Sequence, residues 1–105
     1  MKRAERARKV VDETTQVRCA LGEGIIREEV WQDRDGVVVK YNLAFINPSL
    51  CPRDNGRVLG YDNSHGHHHR HYAGVQETAF FSSYEALVQR FLDEVQRLRS
   101  RKDPL

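Results

Sequence analysis

The stretch "VVVKYNLAFI", Val37 to Ile46, decides the fold. Read as a strand, it places Val37, Val39, Tyr41, Leu43 and Phe45 on one face, with Val38, Lys40, Asn42, Ala44 and Ile46 on the other. The first face is wholly apolar and the second is mixed. A central antiparallel strand with one covered side has this pattern.

Working outward, "DRDG" (Asp33 to Gly36) is a turn leading back to a second extended run, "IIREEVW". Another turn, "GEG" (Gly22 to Gly24), separates that run from "TQVRCAL", where Val17, Cys19 and Leu21 alternate with Gln16, Arg18 and Ala20. On the other side, "NPSLCPRDNG" carries both internal prolines and an Asn-Gly, so it is a loop and no helix. "RVLGYDN" reads as a fourth strand, and "HRHYAG" allows a short fifth. Residues 2–12, "KRAERARKVVD", have helix-forming composition with five Lys or Arg, which leaves a first helix or a basic arm open.

The apolar face needs a cover, and the C-terminal segment supplies one. Tyr84, Leu87, Val88, Phe91, Val95 and Leu98 recur at helical spacing. Ser82 with Glu85 is the expected capping box, with Phe81 and Ala86 as its staple. Arg97, Arg99, Arg101 and Lys102 gather at the C-terminal end, where positive charge suits the helix dipole. The expected fold is α+β: an antiparallel meander of four to five strands packed by a C-terminal helix. Residues 1–105 form a single domain, with a basic N-terminal helix or arm over 1–13, sheet over 14–75 and the helix over 82–100.

With 105 residues, 39% hydrophobic and 30% charged, the composition is globular rather than disordered. No apolar run approaches the ~20 residues of a membrane span, and the N-terminus lacks the apolar core of a secretory signal. A cytoplasmic location without membrane contact is expected. Cys19 and Cys51 are too far apart to form a short-spaced metal pair and read as core filling. The net charge of +2 permits nucleic-acid contact without demanding it.

The chemistry concentrates in "YDNSHGHHHRHYAG", Tyr61 to Gly74, which holds all five histidines of the chain. The cluster is internal and interrupted by Gly66 and Arg70, unlike an affinity tag. Three readings compete. On a strand, His69 and His71 project from one face and could chelate a metal ion, with Asp62 as an oxygen ligand. The same pair could instead work as base and acid on a phosphodiester, with a guanidinium holding the charged phosphorane. In that case Asp62 fixes a histidine tautomer, and Tyr61 stacks on a base or donates a proton. Arg70 supplies the cation only if the strand bulges, because a regular strand turns it to the other face; otherwise Arg57 does. The third reading is a solvated loop, to which His65 and His67 beside Gly66 are best suited. Trp31 reads as packing.

"KYNLAFI", then "RVLGYDN", then "HRH" and the "YEALVQRFLDEV" helix together resemble the TumE family, over roughly Gln16 to Val95. These are small bacterial and archaeal proteins, usually encoded beside a helix-turn-helix protein in toxin–antitoxin-like operons. The resemblance implies a toxin whose DNA-binding partner is antitoxin and repressor, and whose target is RNA or translation. The positions matching the family's motif are Tyr61, Asp62, Asn63, His69 and His71, with Asn63 in a supporting role. His65, His67 and His68 receive no role from the resemblance, and Arg27 stands where relatives tend to have an acidic residue.

The leading expectation is a metal-independent ribonuclease with His69 and His71 as the acid–base pair, helped by Asp62 and Tyr61. Arg70 or Arg57 would hold the phosphate. No cofactor is expected. Expected partners are a helix-turn-helix antitoxin and RNA, with room for a homodimer. The alternatives are a non-enzymatic module that binds a helix-turn-helix regulator, or a protein holding a metal at His69 and His71.

Overall fold

The computed structural model describes residues 7–105. Along the chain come β1 (Arg8–Arg18), β2 (Glu23–Gln32), β3 (Val38–Ile46), β4 (Arg57–Asp62), β5 (His69–Tyr72), β6 (Val75–Thr78) and α1 (Tyr84–Arg99). The strands make one antiparallel sheet in sequence order, and α1 lies across β3 and β4. The α+β class stands, with six strands instead of four to five.

The differences from expectation have local causes. The stretch read as a helix or arm over 1–13 is strand from Arg8 onward; residues 1–6 of it lie outside the described residues. Its charges join a network of ion pairs within β1 and across to β2. Lys9 Nζ lies 2.7 Å from Glu29 Oε2 and 3.0 Å from Asp12 Oδ2. Arg27 Nη2 lies 3.3 Å from Asp12 and 3.2 Å from Glu29.

The sixth strand, β6, exists because Ala73 (φ 49°) and Gly74 (φ 86°) close a two-residue hairpin loop with positive φ at both positions. An alanine there is strained, and "AG" is a weak turn signal beside Asn-Gly.

On β3 the alternation holds from Tyr41 to Phe45 but is out of phase before Tyr41. Trp31 pairs with Lys40 and Gln32 with Val38, which leaves Val39 as the extra residue of a β-bulge. Val38 therefore packs against the core, and Val37 lies outside the strand, 57% exposed.

The helix is capped one residue later than expected. The Ser83 side chain, not that of Ser82, accepts the Ala86 N–H at 3.1 Å, a contact worth about 1 kcal/mol. Glu85 then falls in the first turn, where a carboxylate suits the helix dipole. Tyr84 Oη donates to Glu28 Oε2 at 2.8 Å and ties the start of α1 to β2.

The core sits between α1 and the middle strands. Leu87, Phe91, Val95 and Leu98 descend onto Tyr41, Leu43 and Phe45 of β3 and onto Leu59 and Tyr61 of β4. Burying each of the aliphatic and phenyl side chains contributes roughly 1.5–3 kcal/mol. Cys51 is buried in this cluster and Cys19 packs against it; both are free thiols.

Candidate functional site

Cross-strand partners share a face, so the register decides which side chains meet. On β4 and β5, Tyr61 stands opposite Arg70 and Leu59 opposite Tyr72, on the face covered by α1. Asp62 stands opposite His69, and Gly60 opposite His71, on the face away from the helix. β5 is regular through all four pairs, so His69 and His71 share one face and Arg70 takes the other.

On the face away from α1, His71 Nε2 lies 2.9 Å from Asp62 Oδ2. The same carboxylate accepts from Ser64 at its other oxygen, from the hydroxyl at 2.8 Å and the backbone N–H at 3.1 Å. Burial pushes the Asp62 carboxyl up, but the hydrogen bonds from Ser64 and His71 outweigh it and hold the group below its ordinary value. An ionised Asp62 requires a proton on His71 Nε2, which leaves Nδ1 as the free lone pair. The His71 and Asp62 side chains are only 13% and 15% exposed, so their attraction is little screened.

His69 lies beside this pair, its ring centroid 6.2 Å from that of His71. Gln76 of β6 directs its amide Nε2 at His69 Nδ1, at 3.2 Å. With the amide in this orientation its NH2 donates to Nδ1, which matches a neutral His69 with its proton on Nε2. Asp62 thus fixes the tautomer of His71, while the Gln76 amide is a neutral partner that can donate to or accept from His69 Nδ1.

A cation comes from Arg57. A register shift between β3 and β4 sets it opposite Ile46, on the same uncovered face. Its side chain crosses Gly60: a Cβ there would meet Arg57 Cδ at 2.8 Å and Nη1 at 3.4 Å. Arg57 Nε donates to Asp54 Oδ2 at 2.8 Å, which orients the guanidinium beside the strand position of His71.

Tyr61 and Arg70 do different work behind the sheet. Tyr61 Oη donates to Glu94 Oε1 at 2.5 Å, Arg70 Nη2 pairs with Glu94 Oε2 at 2.6 Å, and Arg70 Nε donates to Tyr61 Oη at 3.1 Å. Burial and then the Glu94 carboxylate push the Tyr61 phenol up to about 12. Burial opposes the charge on Arg70, but the bonds to Glu94 and Tyr61 dominate and raise its pKa. This cluster clamps β4 and β5 to α1 and lies apart from the histidine pair. Asn63 is structural in its contacts: its amide oxygen accepts from the Tyr41 N–H, and its NH2 donates to the Val39 carbonyl.

His68 has a place that sequence reading did not give it. Its ring stacks on Phe81 with centroids 4.0 Å apart, and Tyr41 Oη lies 2.8 Å from its Nδ1. Burial, followed by the nearby His69, lowers its pKa. His65 sits in a loop with positive φ and is exposed, as is His67. The Trp31 ring is half-buried under Lys40 and Lys9, whose Nζ atoms lie 4.6 and 5.1 Å from its centroid. Gln76 and Glu94 were missed because their partners lie on other elements, whereas Ser64 and Gly60 act on Asp62 and Arg57 a few residues away and have no side-chain chemistry that would single them out in the sequence. Among the described residues, no three His, Cys, Asp or Glu side chains are grouped as metal ligands.

A carboxylate–imidazole pair, a second imidazole and a guanidinium on one open sheet face are the groups that general acid–base chemistry uses. The family model described as toxin TumE matches residues 2–99. The chain belongs to the TumE toxin family. It is therefore the toxin component of a toxin–antitoxin pair and has an antitoxin partner. No curated protein and no solved structure matches the chain. Among the described residues of this toxin, no helix is long and apolar enough to cross a membrane.

Proposed function

We propose that this toxin cleaves RNA in the cytoplasm without a metal, through His69 and His71. The observation carrying this reading is the Asp62–His71 hydrogen bond with His69 beside it on the uncovered face. His71 Nδ1 takes the proton of a ribose 2′-OH, and Asp62 stabilises the imidazolium that forms. The 2′ oxygen attacks phosphorus, a new P–O2′ bond forms, and the P–O5′ bond breaks. Protonated His69 gives its proton to the leaving 5′ oxygen. The products are a 2′,3′-cyclic phosphate and a 5′-hydroxyl, and Arg57 faces the charged phosphorane between these steps.

A protonated His69 presents Nδ1–H to Gln76, which then turns its amide oxygen toward the ring. The side-chain amide accommodates both charge states with one rotation. The antitoxin in this reading is a helix-turn-helix protein that also represses the operon.

His69→Ala and His71→Ala test the reading. Each is expected to abolish growth arrest and the cyclic-phosphate product from a labelled RNA, while the circular dichroism of the fold is retained. Folded variants that arrest growth like the parent would refute it.

A further inference from the structure

On the helix side of the sheet, Arg70 and Tyr72 of β5 and Glu94, Arg97, Leu98 and Arg101 at the end of α1 line a cleft of about 320 Å³. Its one carboxylate is already held by Tyr61 and Arg70. Arg97 and Arg101 form no ion pair with any described residue, whereas their neighbour Arg99 is committed to the Arg18 carbonyl and Gln96. Arg70 is neutralised by Glu94 and Glu77, so three guanidinium groups face two carboxylates, and Arg97 and Arg101 leave the cleft positive.

The cleft opens beside the end of the sheet. β6 is the last strand, so its outer backbone N–H and C=O groups pair with no other described strand, and all four of its residues are exposed. Val75 stands opposite Tyr72, hence on the helix side, and is 65% exposed. Glu77 reaches Arg70 Nη1 at 3.1 Å from the same strand, an exposed contact that an incoming carboxylate can replace.

We propose that this surface holds the antitoxin through an extended acidic segment. The segment adds a strand beyond β6, covers Val75, and sets carboxylates on Arg97 and Arg101. A free strand edge is complementary to a peptide backbone, which an RNA lacks. The surface also lies on the side of the sheet opposite His69 and His71. The proposal rests on the toxin family and does not require the acid–base reading.

The test uses the full chain and the antitoxin of its own operon, with affinity measured by titration. Arg97→Gln/Arg101→Gln should raise Kd at least about tenfold, and Arg97→Glu/Arg101→Glu about a hundredfold. Circular dichroism of α1 serves as the folding control, and the neutral pair remains informative if charge reversal unsettles the helix. Val75→Glu should also weaken binding. His69→Ala and His71→Ala should leave the affinity unchanged. Wild-type affinity in both arginine pairs overturns the proposal, as does loss of the antitoxin in the histidine variants. It is overturned equally if the arginine pairs lose a short single-stranded RNA while keeping the antitoxin.

Discussion

His71 Nε2 and Asp62 Oδ2 lie 2.9 Å apart across the β4–β5 pair, with Asp62 fixed from its other side by Ser64. The carboxylate sets the tautomer of the imidazole and waits to stabilise its charged form. Asp62→Asn keeps the shape and removes the charge. The expected loss of RNA cleavage is about 10²- to 10⁴-fold, read from product formation on a labelled oligonucleotide. The folded Asp62 has a lowered pKa, so its stabilising contribution is present above the ordinary 3.8 and is lost as pH falls through the folded value. The variant should accordingly lose part of the acid limb of the stability profile.

Arg57 and Gly60 form a second testable pair. Arg57→Gln is expected to slow cleavage by roughly 10²-fold, as removal of one transition-state donor does. Gly60→Ala should slow it as well, because the new Cβ would lie 2.8 Å from Arg57 Cδ and displace that side chain. The new Cβ would also lie 3.2 Å from the Leu43 carbonyl oxygen, so rates are compared per folded molecule, where the two changes combined should cost little more than Arg57→Gln alone. Additive losses would show that Gly60 acts through something other than Arg57.

The Tyr61–Glu94–Arg70 clamp should govern stability. Arg70→Met leaves a mostly covered Glu94 carboxylate without its cation and should cost about 3 kcal/mol in urea unfolding. Tyr61→Phe removes one hydrogen bond to the same carboxylate and should cost about 1–2 kcal/mol. Cleavage per folded molecule should not change in either variant. An inactive Arg70→Met protein of normal stability would place this arginine in the site after all.

His68 predicts a pH effect. Its pKa is lowered from 6.5 in the folded chain, by burial and then by His69. Neutral His68 is therefore favoured by the fold. Its contribution is complete above pH 6.5 and is lost as pH falls below that value toward the folded pKa. The urea midpoint should fall between about pH 7.5 and about pH 5. His68→Phe keeps the stack on Phe81 and should flatten this part of the profile; an unchanged slope would assign the effect to another group.

Local pattern determined a good deal of this protein. The alternation through Tyr41, Leu43 and Phe45 and the stripe through Leu87, Phe91 and Val95 were legible because strand and helix periods are properties of neighbouring residues. The shared face of His69 and His71 follows from the same period of two. That Asp62 fixes a histidine was suggested by the sequence as one option among several, and the structure makes that histidine His71. What only the tertiary structure decided are matters of register and cover. A bulge at Val39 reversed the phase of β3 at its start, and no residue type announces a bulge. Tyr61 and Asp62 are adjacent in sequence yet lie on opposite faces, so the β4–β5 register decides which one joins the histidines, and α1 decides which of the two faces stays open. Arg70 sits between the two histidines in sequence and behind them in space, held by a glutamate on the helix. His68 lies within the histidine run and ends in an aromatic stack. Pairing across strands and packing under a helix bring together residues far apart in the chain, and their energy comes from neighbours that a linear reading does not contain.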